Sequence, residues 1–307
     1  MNTAIRLEGG LGDHLLANRF VHAIKDKHPD SELNIFSDTE GNPRSINVLK
    51  SLFPSIYKNI KVVGERKNKQ FQLTSRFGTE IYPADSRNLP DETIAEINKS
   101  DKFYDLHLDG LKWLNYDFDW LRYYYFFPKP EIELTSPYES GYIMAHLFSR
   151  PESPYNLEHD YVISLLLKLS ENNKIVIITQ KEYIQYYSQL FNNKNIIINT
   201  TDNTLDIFAI AKECSVFIGI DSGIRCVPYY FSKPVFVFSQ HCEQYGTVGY
   251  SHLIRWLIFS KMVLPMHFNL DIVNKLIYNS IINPVNKLFP ELLENCNLYT
   301  VNRYEVK

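Results

Sequence analysis

Five short, almost wholly apolar segments recur between residues 141 and 239: GYIMAHLFS, NKIVIITQ, KNIIINT, SVFIGID and PVFVFS. Their length and their wealth of Ile and Val mark them as buried strands. The stretches between them are LEHDYVISLLLKLSEN, KEYIQYYSQLF, NTLDIFAIAKEC and SGIRCVPYYFSK. Apolar residues three and four apart make these helices, the last a short one. Apolar strands alternating with amphipathic helices at these spacings predict an α/β fold with a doubly wound parallel sheet.

The first half repeats the theme less regularly. Residues 4–8 read as a strand, followed by the glycine loop GGLGDH and a helix with Leu15, Leu16, Phe20, Val21 and Ile24 at helical spacing, ended by Pro29. ELNIFSD and NIKVVG are further strands, and SINVLKSLFPSI is helical until Pro54. Residues 64–100 are polar and irregular, with the basic stretch ERKNKQ and the amphipathic DETIAEINKS. KFYDLHLDG alternates as a strand, with Tyr104, Leu106 and Leu108 opposite Asp105, His107 and Asp109. FFPKPEIELTSPYESG, with its three prolines, reads as a linker. The expected organisation is an N-terminal domain over 1–138, a second over 139–264, and a mostly helical tail over 265–307 that packs back on the first.

Composition narrows the function classes. The 307-residue chain carries 45% hydrophobic and 22% charged residues, ordinary for a soluble globular protein, and a net charge of −3 that does not point to nucleic acid as its partner. Cys214, Cys226, Cys242 and Cys296 show no metal-like spacing and read as buried free thiols. The N-terminus lacks an apolar signal core, and no apolar run approaches the roughly 18 residues of a spanning helix. A cytoplasmic protein, free or peripheral to the membrane, is the expectation.

Ligands of an open parallel sheet bind outside the carboxyl ends of its strands. That rule selects Glu8–Asp13 in the first half, and Ser149–Arg150, Gln180, Thr200–Asn203 and Asp221–Gly223 in the second. GGLGDH is neither a P-loop nor a dinucleotide fingerprint. It offers backbone N–H groups, including that of Gly12, at a helix terminus. Asp13 there is either a helix cap or a general base for an attacking hydroxyl. In IGIDSGIR, Asp221, Ser222 and Gly223 make either a plain turn or a pocket for phosphate and ribose. Arg150 suits a diphosphate, or is a surface residue. The Asp105–His107–Asp109 face reads as cleft-lining rather than metal-binding, and DFD at 117–119 matches the D-x-D pattern of metal-dependent transferases without its usual apolar strand.

Two of these stretches resemble a known family. IRLEGGLGDHLLANRFVHAI is similar to the opening of the inverting, metal-independent glycosyltransferases of the GT-B fold, in particular the lipopolysaccharide heptosyltransferases. Some fucosyltransferases share a Gly-Gly-Leu-Gly there, followed by Asn-Gln where this chain has Asp13 and His14. NTLDIFAIAKECSVFIGIDSGIRCVPYYFSKPVFVF is similar to the heptosyltransferase signature of a Leu-rich helix, a strand, Asp-Thr-Gly, a helix and Lys-Pro-Val. YDLHLDGLKW resembles that family's Asp-x-Gln-Gly-Leu region more weakly. The chain departs from the family at Cys226, where a His is usual, and lacks the Lys common after the first strand of the second domain.

The resemblance implies two Rossmann-like domains facing a cleft and transfer of a sugar from a nucleotide-diphosphate donor to an acceptor hydroxyl. Asp13 would be the catalytic base. Gly12, Ser149, Arg150, Gln180, Thr204, Asp221, Ser222 and Gly223 would line the donor site, and His14, His107, Asp109 and Lys112 the acceptor side. No metal or other cofactor is implied. The acceptor would be a glycan, a lipid-linked sugar or a protein. Alternatives are a nucleotide-sugar epimerase of similar architecture and a non-catalytic sugar- or nucleotide-binding protein.

Overall fold

A computed structural model of the chain describes residues 1–8, 10–38, 44–63, 91–106, 127–148, 159–191, 193–201, 203–220, 222–233, 235–239 and 262–265. The chain divides into two compact units, Met1–Glu133 and Leu134–Lys307.

In the first unit, β1 (Asn2–Glu8), β2 (Glu32–Asp38), β3 (Lys61–Val63) and β4 (Lys102–Asp105) form one parallel sheet in the order β3-β2-β1-β4. Ala4, Ile5 and Leu7 of β1 are buried, as a strand in the middle of a parallel sheet requires. Helix α1 (Leu11–Lys27) buries Leu15, Leu16, Phe20, Val21 and Ile24 together with Ala17, Ala23 and the polar His14, Asn18 and Arg19, so it is covered on nearly every side. It stops at His28, whose N–H returns to the Ile24 carbonyl at 3.0 Å, one residue before Pro29. Lys25 Nζ then donates to the carbonyls of Pro29 (2.8 Å) and Ser31 (3.0 Å), a cation at the negative end of the helix. Helices α2 (Arg44–Leu52) and α3 (Pro54–Tyr57) meet at Phe53, because Pro54 has no N–H with which to continue α2 and is well placed to start α3. Helix α4 (Asp91–Lys99) leads into β4.

The second unit holds β5 (Ile143–His146), β6 (Ile175–Ile178), β7 (Ile196–Asn199), β8 (Val216–Ile220), β9 (Val235–Ser239) and β10 (Met262–Pro265), all parallel, in the order β10-β9-β8-β5-β6-β7. The chain winds outward from β5 through β7, then returns to the other side of β5 with β8. Helices α5 (His159–Ser170), α6 (Ile184–Leu190) and α7 (Thr204–Glu213) lie between strands. Val162, Leu165, Leu166 and Leu169 of α5 pack with Ile143, Ile175, Ile177, Val216 and Ile218 of the sheet in one core cluster.

Two local expectations differ from the structure. SGIRCVPYYFSK is not one helix but two 3-10 turns, Gly223–Cys226 and Pro228–Phe231, because Pro228 interrupts the hydrogen-bond ladder and Ser232 leaves it with a positive φ of 54°. Met262–Pro265 forms a sixth strand that the sequence reading omits, too short to stand out among its apolar neighbours. The expected helical tail lies outside the described residues. Cys214 and Cys226 are buried free thiols, and burial pushes the Cys214 thiol up to about 12, which keeps it protonated and inert.

Candidate functional site

Both sheets change winding direction at their first strand, between β1 and β4 in one unit and between β5 and β8 in the other. The carboxyl ends of these strands are where a doubly wound sheet leaves a crevice for ligands.

In the first unit, α1 begins inside the glycine loop, with Gly10 as its N-cap, so Gly12 and Asp13 belong to the first turn of the helix. Asp13 Oδ2 accepts the Gly10 N–H at 3.0 Å. Gly10 has no side chain to return the bond, so Asp13 alone closes the turn. A carboxylate has about four lone-pair sites and this bond uses one. Among the described residues Oδ1 has no hydrogen-bond partner, and Asp13 is half-buried.

His14 occupies a different place from the acceptor-side position expected of it. Its ring is fully buried, with Nδ1 3.0 Å from the Gly10 carbonyl and Nε2 2.7 Å from Ser37 Oγ on β2. A carbonyl only accepts, so Nδ1 carries the proton and, in the neutral ring, Nε2 accepts from Ser37. His14 thus ties the loop to the neighbouring strand from below. Around it, Asn18 accepts from Tyr57 OH at 2.7 Å, and the buried Arg19 guanidinium lies 4.7 Å from the Phe20 ring and 5.3 Å from that of Phe127. Further along α1, His22 meets Phe53 edge-on at 5.0 Å. Burial lowers its imidazole to about 4, the Glu131 carboxylate acting weakly in the opposite sense.

In the second unit, three buried polar side chains sit near the carboxyl ends of adjacent strands. His146, which closes β5 and is 4% exposed, has Nδ1 2.9 Å from the Ile178 carbonyl of β6, which fixes the proton on Nδ1. Thr179, just past β6 and 5% exposed, has a hydroxyl with no hydrogen-bond partner. Ser222, just past β8, likewise has a buried Oγ with none. A buried hydroxyl without a partner costs roughly 1–3 kcal/mol, so such groups mark places where a ligand or water completes the bonding. Gly219, level with His146 across the β5–β8 pair, is required there. A Cβ would come within 2.5 Å of Phe217 Cζ and 2.7 Å of the His146 carbonyl oxygen.

The remaining expected donor residues fall in different settings. Gln180 is half-buried at the start of the turn Lys181–Tyr183, and its side chain makes no capping bond. Gly223 opens the first 3-10 turn after Ser222. Thr204, at the first position of α7, is only 3% exposed. Its neighbours bond to one another: Asp206 accepts from Thr201 Oγ1 at 2.8 Å and Asn203 Nδ2 at 3.0 Å, while Asn203 Oδ1 caps the Leu205 N–H at 3.1 Å. Ser149, Arg150, Asp221, His107, Asp109 and Lys112 lie outside the described residues, as do Asp117 and Asp119. His146 and Thr179 escaped the sequence reading, because both sit inside or beside runs that read simply as core strand.

No cluster of three metal-ligating side chains occurs among the described residues, and no described helix is long and apolar enough to cross a membrane. No protein-family model matches the sequence, and neither does any curated protein. Solved structures do match its fold. The E. coli heptosyltransferase WaaC with ADP superposes with a TM-score of 0.58 at 9% identity, covering 91% of this chain and 99% of that one. A glycosyl transferase of family 9 from Veillonella parvula DSM 2008 superposes with a TM-score of 0.51 at 12% identity, over 94% and 97% of the two chains. At such identities the likeness is one of fold, and the two parallel α/β sheets of this chain match those of GT-B glycosyltransferases.

Proposed function

We propose that the chain is a glycosyltransferase, moving a sugar from a nucleotide-diphosphate donor to an acceptor hydroxyl with inversion and without a metal. The observation that carries this reading is the fold likeness to WaaC, a heptosyltransferase with ADP, over nearly the whole of both chains. The turn at Asp13 adds chemical support. The carboxylate is fixed by one oxygen to Gly10 and keeps the other for a substrate. In the reaction Asp13 accepts the proton of the acceptor hydroxyl, and the resulting oxygen attacks the anomeric carbon from the face opposite the donor phosphate. The bond from that carbon to the diphosphate oxygen breaks, and its electron pair leaves with the nucleoside diphosphate.

The second unit takes the donor in this reading. Gln180, Thr204, Ser222 and Gly223 are assigned to line its pocket, with Gly12, Ser149, Arg150 and Asp221 given the same task. His107, Asp109 and Lys112 stand on the acceptor side, where a glycan, lipid-linked or protein hydroxyl is the class of acceptor. His14 becomes a positioning residue that holds the Asp13 turn.

Two variants at Asp13 separate a base from a cap. Asparagine retains an oxygen that can accept the Gly10 N–H, whereas alanine does not. Asp13→Asn is expected to lower turnover by about 10²–10⁴-fold while leaving donor affinity and melting temperature close to those of the native chain. Asp13→Ala loses the same activity and, in addition, about 1 kcal/mol of stability. Retention of more than a tenth of native turnover by Asp13→Asn would remove Asp13 from the chemistry. Conversion of a nucleotide sugar to an isomer without any acceptor would overturn transfer itself. Loss of turnover in a chelator, restored by a divalent cation, would overturn metal independence.

A further inference from the structure

The hydroxyl of Ser37 is a buried polar group with a route to the candidate base. Ser37 lies on β2, paired with Leu7 of β1 on one side and Val62 of β3 on the other, and is 0% exposed. Held by both ladders, its backbone is a fixed support. Apolar side chains are the rule at fully buried positions of a parallel sheet, as at Ile35 and Phe36 just before it. A hydroxyl in such a place needs a hydrogen-bond partner, and His14 Nε2 supplies one at 2.7 Å. In the neutral ring that nitrogen accepts, so Ser37 is the donor.

The other side of the same ring meets the turn that holds Asp13. Gly10 is tied down at both of its polar groups. Its N–H donates to Asp13 Oδ2 at 3.0 Å, and its carbonyl accepts twice, from the His14 backbone N–H at 3.1 Å and from Nδ1 at 3.0 Å. The backbone bond belongs to the helix, whereas the ring bond depends on the state of the imidazole. Nδ1 donates only while it carries the proton, and a donor facing Nε2 is what keeps the proton there. Packing does not substitute for these bonds. Among the described residues, a Cβ added at Gly10 would meet nothing nearer than Asp13 Oδ2 at 3.8 Å, so the loop is not wedged in place at this residue.

We propose that Ser37 is a positioning residue for the Asp13 base. Its hydroxyl keeps His14 in the tautomer that bonds the Gly10 carbonyl, and Gly10 so held presents the N–H that aims the Asp13 carboxylate. The inference rests on the glycosyl-transfer reading above and extends it from the first turn of α1 to the neighbouring strand. Ser37 takes no part in the proton transfer. The proton of the acceptor hydroxyl goes to Asp13, while Ser37 and His14 keep their own. What Ser37 supplies is orientation, and a catalytic group displaced by about 1 Å loses on the order of 10²-fold in rate.

Two measurements on the full-length chain test this. Long-range proton–nitrogen NMR correlation reads the His14 ring, identified by the loss of its signals in His14→Gln. The native chain is expected to show Nδ1 protonated and Nε2 bare, and Ser37→Ala to move the proton to Nε2 or to average the two nitrogens. Turnover is read as release of nucleoside diphosphate from UDP-, ADP-, GDP-, CDP- and dTDP-linked sugars, with water as the acceptor because its attack calls on the same base. For the donor that the native chain turns over, Ser37→Ala is expected to lower kcat by about 10- to 100-fold with KM unchanged. In the Asp13→Asn background the same change is expected to cost nothing further, since no base is left to aim. Ser37→Cys keeps the size but donates only weakly, and falls between. Native turnover in Ser37→Ala, or an equal further loss in the Asp13→Asn background, would overturn the role of Ser37 and leave the transferase reading standing. An unchanged His14 ring in Ser37→Ala would overturn it as well. Release from none of the donors by the native chain would overturn both. If Ser37→Ala shows no cooperative melt, Ser37→Cys decides, and native turnover in it counts against the proposal.

Discussion

At the scale of single residues, the local environment converts ordinary side chains into specialised ones. Gly219 shows this by what it lacks. The β8 backbone approaches β5 so closely there that an added methyl group meets a backbone carbonyl at 2.7 Å and the rigid Phe217 ring at 2.5 Å. Neither neighbour can swing aside as a flexible side chain would. Gly219→Ala is therefore expected to cost about 1–3 kcal/mol through overpacking, and to shift His146 and Ser222 at the adjoining strand ends. Urea denaturation followed by circular dichroism measures the loss, and an unchanged midpoint would show that the two strands can part without penalty. The candidate site was only partly legible in the sequence. Strand-end position singles out Asp13 and Ser222 in advance. The burial of His14 depends on Ser37, 23 positions away, and becomes plain only in three dimensions.

At the scale of elements, legibility follows how completely an element is buried. β6 and β8 are buried along their whole length, so IVII and VFIGI read as uninterrupted apolar runs. Helix α1 is buried nearly all round, from His14 to Val21 without a break, and its apolar residues read from spacing while the burial of His14, Asn18 and Arg19 does not. Irregular connections carry no such signal, and their stability comes from distant partners. The α2–α3 elbow is an example. The Glu131 N–H donates to the Leu52 carbonyl at 2.8 Å, and its carboxylate accepts from the Ser55 N–H at 3.0 Å and from the Ser55 hydroxyl. A residue that sequence analysis placed in a linker thus caps the first turn of a helix 76 positions earlier. Glu131→Ala is expected to destabilise the first unit by about 1 kcal/mol, with Glu131→Gln losing less because an acceptor oxygen remains. Hydrogen exchange at the Ser55 amide reports this directly: it should quicken in Glu131→Ala and change little in Glu131→Gln.

At the scale of the whole molecule, a buried ionisable group that binds protons differently in the folded and unfolded chain sets how the unit around it responds to pH. His22 is such a group in the first unit. Its Nε2 is buried with no hydrogen bond, and desolvation lowers the folded-state value to about 4 from 6.5. Between those two values the unfolded chain binds a proton that the folded chain refuses. Stability rises with pH wherever the unfolded state holds more protons, so the contribution is fully present above about 6.5 and is lost as pH falls toward 4. At 1.36 kcal/mol per unit, the full loss is on the order of 3 kcal/mol. Carboxylates titrate over part of the same range, so the informative quantity is the difference between the native chain and His22→Leu, in which only this group is missing. The slowest-exchanging amides of α1 report opening of the first unit by itself. Their protection is expected to fall more steeply from pH 7 to pH 4 in the native chain than in His22→Leu, so that the gap between the two narrows or reverses in acid. A gap that stays constant across that range would mean that His22 takes up its proton as easily folded as unfolded, and that its packing against Phe53 leaves it open to water.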